Sequence, residues 1–580
     1  MTDGTATDTD AGDTGVEEGE DSDTVVGGSE DTVYASEIEG RQYRSTSYLP
    51  LPYDELETVD DAGDDEEFPD GDGRFRLTDL PRVPRLRHLV GPSAIMLGAS
   101  LGSGETLFWP GLIVDSDWRL YWVFWVTVLT QFFINTELQR WTLATGESIF
   151  RAFERLHALV PAALLVGGLV SLGWPGWAAT AAQVGATAFG LDGWKPLGIG
   201  LMVLIWLSYQ LSAILYEVVE RAQFVLVVVS LASAAALVVV VGSIGELSGM
   251  PAGAVSFGSL SENRDVAVLL GGIAFAGAGG YLNLSQSLWV REKGYGMGRY
   301  QGRLRNPFID EEDEPIHRDG FSFRPTELNL RRWRAWWRVV QAEHLATFVV
   351  GLLTAATLLM TVASDVAGGS EATGLALWLQ VIVPQLGGVG RTLVFVVLFV
   401  ALFTTEYAIV ESFVRNSADV IYELYGREAG WDQSNIFLAL LTAFVGWGIA
   451  IILLPFQEPF FLLVVGAAMS GVIMWPYTVL TLLLNTTRLP THLRPGWGRI
   501  LAMWWSSSFI GYFSILLIGR TLALDFGVTV FAVDAAILGS APGGYVLWTG
   551  YLAVQTYAVY RSARGRLDAP LPMLVRGILP

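Results

Sequence analysis

Apolar residues in this chain come in long unbroken blocks rather than in alternation or in a 3.6-residue stripe, the pattern of segments that meet lipid on several sides. Blocks near the ~20 residues needed to cross ~30 Å of hydrocarbon fall at about 91–114, 118–139, 158–187, 195–216, 222–243, 266–290, 342–363, 391–414, 434–455, 459–484, 499–520 and 541–560. The pattern therefore predicts an all-α polytopic membrane protein with twelve spans. A further apolar stretch, 372–386 (ATGLALWLQVIVPQL), is too short to cross and predicts a short extracellular or re-entrant helix.

The loops between the blocks alternate in basic content. One set carries Arg82, Arg85 and Arg87, then Arg140, Arg151 and Arg155, Arg221, eleven Arg/Lys between 291 and 338, Arg415 and Arg427, Arg488, Arg494 and Arg499, and Arg561, Arg564 and Arg566. The intervening loops hold about one each or none, as with Arg119, Lys195, Arg264, Arg391 and Arg520. Basic loops stay on the cytoplasmic side, so both termini are predicted to be cytoplasmic and the protein to sit in the cytoplasmic membrane. The stretch RRWRAWWRVV at 331–340 mixes arginine with tryptophan just before span 7 and suits the headgroup region of the lipid bilayer.

Composition changes one part of this picture. The formal net charge is −22 over 580 residues, but residues 1–80 hold 25 Asp/Glu against 4 Arg, leaving 33 acids and 32 bases elsewhere. The acidity is thus a tail, too polar to fold alone, and it suits a protein from a high-salt organism. Residues 1–80 read as a disordered cytosolic tail and 85–565 as the membrane domain, with 291–338 a cytosolic loop and 566–580 a C-terminal tail. There is no cysteine, which removes disulfides, thiolate metal sites and cysteine nucleophiles.

Two spans are interrupted at their centres. Span 1 carries Gly102-Ser103-Gly104-Glu105 and span 6 carries Gly277-Ala278-Gly279-Gly280. With twelve spans these two run in opposite directions, so spans 1–5 (about 91–243) and 6–10 (266–484) form two inverted repeats, followed by extra helices over 499–560. A broken helix at membrane depth survives where it lines a cavity or ion site, and a carboxylate there is a functional candidate.

Three segments carry a resemblance: GPSAIMLGASLGSGETLFWPG from 91, NTELQRWTLATGESI at 135–149 and SLWVREKGYGMG at 287–298. Together they resemble a divergent Nramp-related branch of the natural resistance-associated macrophage protein metal transporters, over roughly 85–560. The resemblance implies the leucine-transporter-like 5+5 inverted repeat of the amino-acid, polyamine and organocation superfamily, with helices 1 and 6 broken. It also implies inward transport of a divalent metal ion, commonly with protons. Typical members carry Asp-Pro-Gly-Asn in span 1 and Met-Pro-His in span 6; this chain retains only the glycine of the first and none of the second. Glu105 stands where the family has its asparagine.

The oxygen ligands that remain for a transported cation are Glu105, backbone near Gly102 and Gly277, the Ser103 hydroxyl, and Tyr281 and Asn283. Such a set suits hard cations of the magnesium or manganese type. Glu406, Gln183 and Gln286 are further polar groups in apolar surroundings, candidates for a coupling-ion or polar pathway. The same inventory suits a sodium- or proton-coupled carrier of amino acids or other organic solutes. The five histidines show no metal-ligand spacing and no Walker A sequence is present, so no enzyme activity, cofactor or nucleic-acid partner is expected.

Overall fold

The structure is a computed structural model. It describes residues 76–84, 91–258, 266–309, 316–323, 325–455, 458–534 and 537–567, together with two-residue strands at Val25–Val26 and Val33–Tyr34. Most of the acidic tail, Arg85, Arg87, Arg264, the acidic run 310–314 and the last residues of the C-terminal tail lie outside the described residues.

Each of the twelve apolar blocks is helical, and the protein is an all-α polytopic membrane protein. Span 1 comprises Pro92–Ser100 and Trp109–Ser116, joined through a π-helical turn at Gly104–Phe108. Span 2 is Tyr121–Thr145, span 4 Lys195–Ser208 and span 5 Leu215–Val241. Span 6 is Val266–Phe275 followed by Tyr281–Lys293. Span 7 runs Glu327–Ala367, span 8 Gly388–Gly426, span 9 Gln433–Leu453, span 10 Pro459–Thr487, span 11 Trp497–Leu524 and span 12 Pro542–Leu567. Among the described residues, seven helical stretches are apolar and long enough to cross a membrane on those grounds alone. The others are broken, shorter or rich in buried polar groups.

Span 3 departs from the single helix expected over 158–187. It is Val160–Leu172 and Gly176–Phe189, interrupted at Gly173-Trp174-Pro175, because proline cannot continue the hydrogen-bond ladder. Span 7 begins well before its apolar block. Thr326 caps it by accepting from Asn329 N at 3.2 Å, and the Arg/Trp stretch forms its first turns. Trp333 and Trp336 turn inward, with Trp336 Nε1 donating to the Pro81 carbonyl at 2.7 Å and Arg332 to Leu80 O at 3.0 Å. Trp336 and Arg332 therefore clamp the segment that precedes span 1, while Arg331, Arg334 and Arg338 of the same stretch stay exposed. That segment also pairs Arg76–Leu77 in parallel with Phe321–Ser322.

The lipid-facing surface is apolar. Val166, Leu204, Phe224, Val239, Trp447 and Val546 are all exposed, a band that only a bilayer or a partner covers favourably. Inside lie the polar residues that the apolar blocks carry singly. At the arginine-rich face, Arg415 is fully buried with Glu411 and Glu292, pairing with Glu292 at 2.6 Å. Tyr209 donates to Glu411 at 2.8 Å, so this ion cluster ties spans 4, 6 and 8 together.

Candidate functional site

The breaks of spans 1 and 6 meet. A Cβ at Gly104 would run into the Phe275 carbonyl oxygen and the Ala276 nitrogen, so only glycine lets the two backbones approach this closely. In span 6, Gly277 has φ 140°, Ala278 57° and Gly280 78°. The left-handed values turn the chain between Phe275 and Tyr281.

Interrupting a helix frees backbone groups that must find partners. Thr405 of span 8 donates to Ala99 O at 2.9 Å, and the Thr106 hydroxyl bonds to the Gly102 carbonyl. Trp378, on the short helix over 374–385 foreshadowed by the 372–386 stretch, donates to Thr106 O at 2.5 Å. Trp109 Nε1 donates to Gly272 O at 2.9 Å. At the span-6 break, Gln131 of span 2 donates to Ala274 O at 2.8 Å and accepts from Asn283 Nδ2 at 2.8 Å. One amide thus bridges both halves of span 6.

Glu105 lies in the π-helical turn, fully buried, and neither carboxyl oxygen has a hydrogen-bond partner in the protein. Ser103 accepts from Trp177 Nε1 at 3.0 Å, and the Trp177 ring packs on Phe275 at 4.9 Å between centroids. Gly102 packs against the Thr405 side chain, and Gly277 against Gln131 and Phe348. Asn283 keeps its Oδ1 free of protein partners, as does Ser470 Oγ from span 10; Ser470 packs directly on Gly280, and the Tyr477 hydroxyl of span 10 lies beside the Asn283 side chain and the Gly280 backbone.

Other candidates fall elsewhere. Tyr281 turns away from the break: its ring packs on Phe150 at 5.7 Å and Phe413 at 6.2 Å, toward the arginine-rich face, while its carbonyl accepts from Asn416 at 2.9 Å. Gln286, one helical turn further along span 6, is fully buried with both amide atoms unpartnered. Glu406 accepts from the Ala178 backbone nitrogen at 3.0 Å, taking an N–H that the span-3 break leaves free near a helix N-terminus, where a negative charge is favoured. Gln183 is half-buried further along that helix, away from the break.

Gln131, Met474, Ser470, Tyr477 and Trp177 stand at the junction although nothing in the sequence marked them. Met474 of span 10 is buried with its sulfur against Gly279 and 3.8 Å from Gln131 Nε2. A thioether absent from span 6 therefore reaches the break from another span. Among the described residues no group of three or more histidine, cysteine or acidic side chains is placed to hold a metal ion.

All of these elements define one class of architecture, the helical membrane fold in which the first helix of each inverted repeat is broken. The chain shares its fold with a manganese transporter from Eremococcus coleocola. A structure of one mutant of that protein gives a TM-score of 0.58 at 12% identity, covering 84% of this chain and 97% of the other. A complex with an aromatic bis-isothiourea substituted compound gives 0.56 at 12% identity, covering 86% and 97%. No family model matches the sequence, and no curated protein matches it by sequence.

Proposed function

We propose that the chain is a secondary transporter that carries a divalent cation of the magnesium or manganese type across the cytoplasmic membrane by alternating access, with both termini cytoplasmic. The observation that carries the reading is Glu105: a carboxylate fully buried where two broken helices meet, with no donor from any other residue on either oxygen. An ionised carboxylate left in that state costs several kcal/mol, so it calls for a cation or a proton. Asn283 Oδ1, Tyr477 Oη and Ser470 Oγ are neutral oxygens at the span-6 break, and magnesium and manganese both accept such ligands alongside retained waters. Met474 adds one soft donor, which tilts the set toward manganese, the ion named for the transporter that shares the fold. Glu406, on the Thr405 side of the span-1 break, is the proposed coupling-ion carboxylate, and protons are the proposed coupling ion.

Alternating access fits the mechanics. Glu105, Ser103, Asn283 and Gln286 are closed off from both faces, while the unwound links let each half of spans 1 and 6 tilt separately. A carrier of organic solutes coupled to sodium or protons is the second reading, favoured by the predominance of amides and hydroxyls over carboxylates around the breaks.

Reconstitution into liposomes separates the two. Saturable magnesium or manganese flux that Glu105→Gln eliminates, with folding intact, supports a cation site. Amino-acid flux indifferent to every divalent ion would overturn it.

A further inference from the structure

His344 is the one histidine among the described residues that is fully buried inside a span, and both of its ring nitrogens are engaged. Nδ1 lies 2.9 Å from Ser93 Oγ, and Nε2 lies 3.2 Å from Asn135 Nδ2. The Ser93 hydroxyl in turn bonds to Glu343 Oε2, while the Ser93 backbone nitrogen donates to Glu343 Oε1 at 3.3 Å.

With Glu343 ionised, the donor inventory gives this chain one direction. Ser93 has one proton and gives it to Glu343, so its oxygen accepts from His344 Nδ1–H. A neutral imidazole protonated on Nδ1 has a bare Nε2, which accepts from the Asn135 amide. Every proton then points one way, from Asn135 in span 2 through His344 in span 7 and Ser93 in span 1 to the Glu343 carboxylate. Asn135 sits one helical turn from Gln131, which clamps the span-6 break, and its Oδ1 is buried without a protein partner. At the other end, Glu343 faces Lys293, with Glu220, Tyr216 and Tyr295 beside it; Lys293 pairs with Glu220 at 2.5 Å. Arg499, paired with Glu137 at 3.2 Å, faces His344, and Phe132 and Phe348 stack on the imidazole.

We infer that Asn135, His344, Ser93 and Glu343 form a proton-transfer chain whose terminal carboxylate holds the arginine-rich end of span 1, linking proton movement to the release of that helix. This rests on the transporter reading above and adds a proton path separate from Glu406. When alternating access opens this region to water and the Asn135 amide swings off the ring, a hydronium ion gives its proton to His344 Nε2 and leaves as water, the Nδ1 proton passes to Ser93 Oγ, and the serine proton passes to Glu343. The ring ends neutral with its proton on Nε2, the serine is again a hydroxyl, and Glu343 becomes a carboxylic acid. Rotation of the Asn135 amide then presents Oδ1 to the new Nε2–H. Neutral Glu343 holds Ser93 less tightly, because hydrogen bonds to an ionised acceptor are the stronger kind, and the first turn of span 1 loosens.

The absence of cysteine allows a substrate-independent test. With Ala94→Cys as probe in the reconstituted full-length chain, labelling by a thiol reagent from the arginine-rich face is compared in mildly acid and mildly alkaline buffer, normalised to an exposed cysteine. Labelling should be about tenfold faster in acid, the scale of one lost charge-assisted hydrogen bond, and Glu343→Gln should remove the difference. A pH ratio that survives Glu343→Gln overturns the inference. Should that variant fail to fold, Ser93→Ala breaks the chain instead and must shrink the ratio; a full ratio there also overturns it.

The second measurement follows manganese together with protons in vesicles containing a pH dye. His344→Phe should keep downhill manganese flux within about twofold while cutting accompanying proton movement about tenfold, because a proton donor is removed and the ring volume is kept. Equal loss of both marks a structural role for His344 and overturns the relay. Manganese moving without protons in the unmutated chain overturns the relay while leaving the transporter reading intact. Failure of the unmutated chain to move manganese is a failure of that reading, and the labelling result still decides the Glu343 latch.

Discussion

Gln131 accepts from Asn283 at 2.8 Å across the break in span 6, and the same side chain donates to the carbonyl of Ala274 on the near side of that break. Gln131→Leu keeps the bulk and removes both bonds, leaving the Asn283 amide buried and unpaired. The expected cost is about 1–3 kcal/mol, read as a lower unfolding temperature in detergent. Substrate flux should fall further than stability does, because the two halves of span 6 lose their common clamp.

The buried ion cluster at the arginine-rich face responds more severely. Arg415 is fully buried between Glu411 and Glu292, and Glu292 also accepts from Leu304 N at 3.2 Å. Arg415→Ala strands two carboxylates in a dry interior, at a cost of about 3–5 kcal/mol, and should abolish a monodisperse peak in size-exclusion chromatography. Removing all three charges with Glu292→Gln, Glu411→Gln and Arg415→Met together should recover much of that peak, since replacing a buried charge cluster whole costs far less than removing one member.

Glu406→Gln tests the coupling role separately from the fold. A glutamine oxygen still accepts from Ala178 N, now 3.0 Å from the carboxylate, so expression and unfolding temperature should stay close to those of the unmutated chain. The dependence of flux on a pH gradient should disappear while downhill flux persists. An unchanged gradient dependence returns Glu406 to the role of a helix cap for the second half of span 3.

The spans were legible because lipid demands long apolar blocks, and both central breaks because mid-span glycine clusters, the first beside Glu105, let the chain leave the helix at membrane depth. Partners across the bundle were not. A single Gln131, His344 or Met474 inside an apolar block carries no mark of the direction it faces, which helix rotation and packing decide. Arg415 illustrates the other blind spot. The apolar block of span 8 stops at 414, so the arginine reads as a loop residue, yet the helix continues to Gly426 because ion pairs substitute there for hydrophobic burial. The loop over 291–338 hides similar order: Asn306, nominally in solvent, is buried and bonds Tyr209 O at 3.1 Å.

Met474 decides how soft the site is. Its sulfur rests against Gly279 and 3.8 Å from Gln131 Nε2, so it borders the span-6 break from span 10. Met474→Leu conserves volume and changes only the donor, and the packing cost stays below about 1.5 kcal/mol. Thioethers favour cadmium and manganese over magnesium. If the transported ion meets this sulfur, cadmium and manganese flux should drop about tenfold relative to magnesium, a difference of roughly 1.4 kcal/mol, with magnesium flux little changed. Flux ratios that do not move would make Met474 a packing residue and leave selectivity to Glu105 and the neutral oxygens around it.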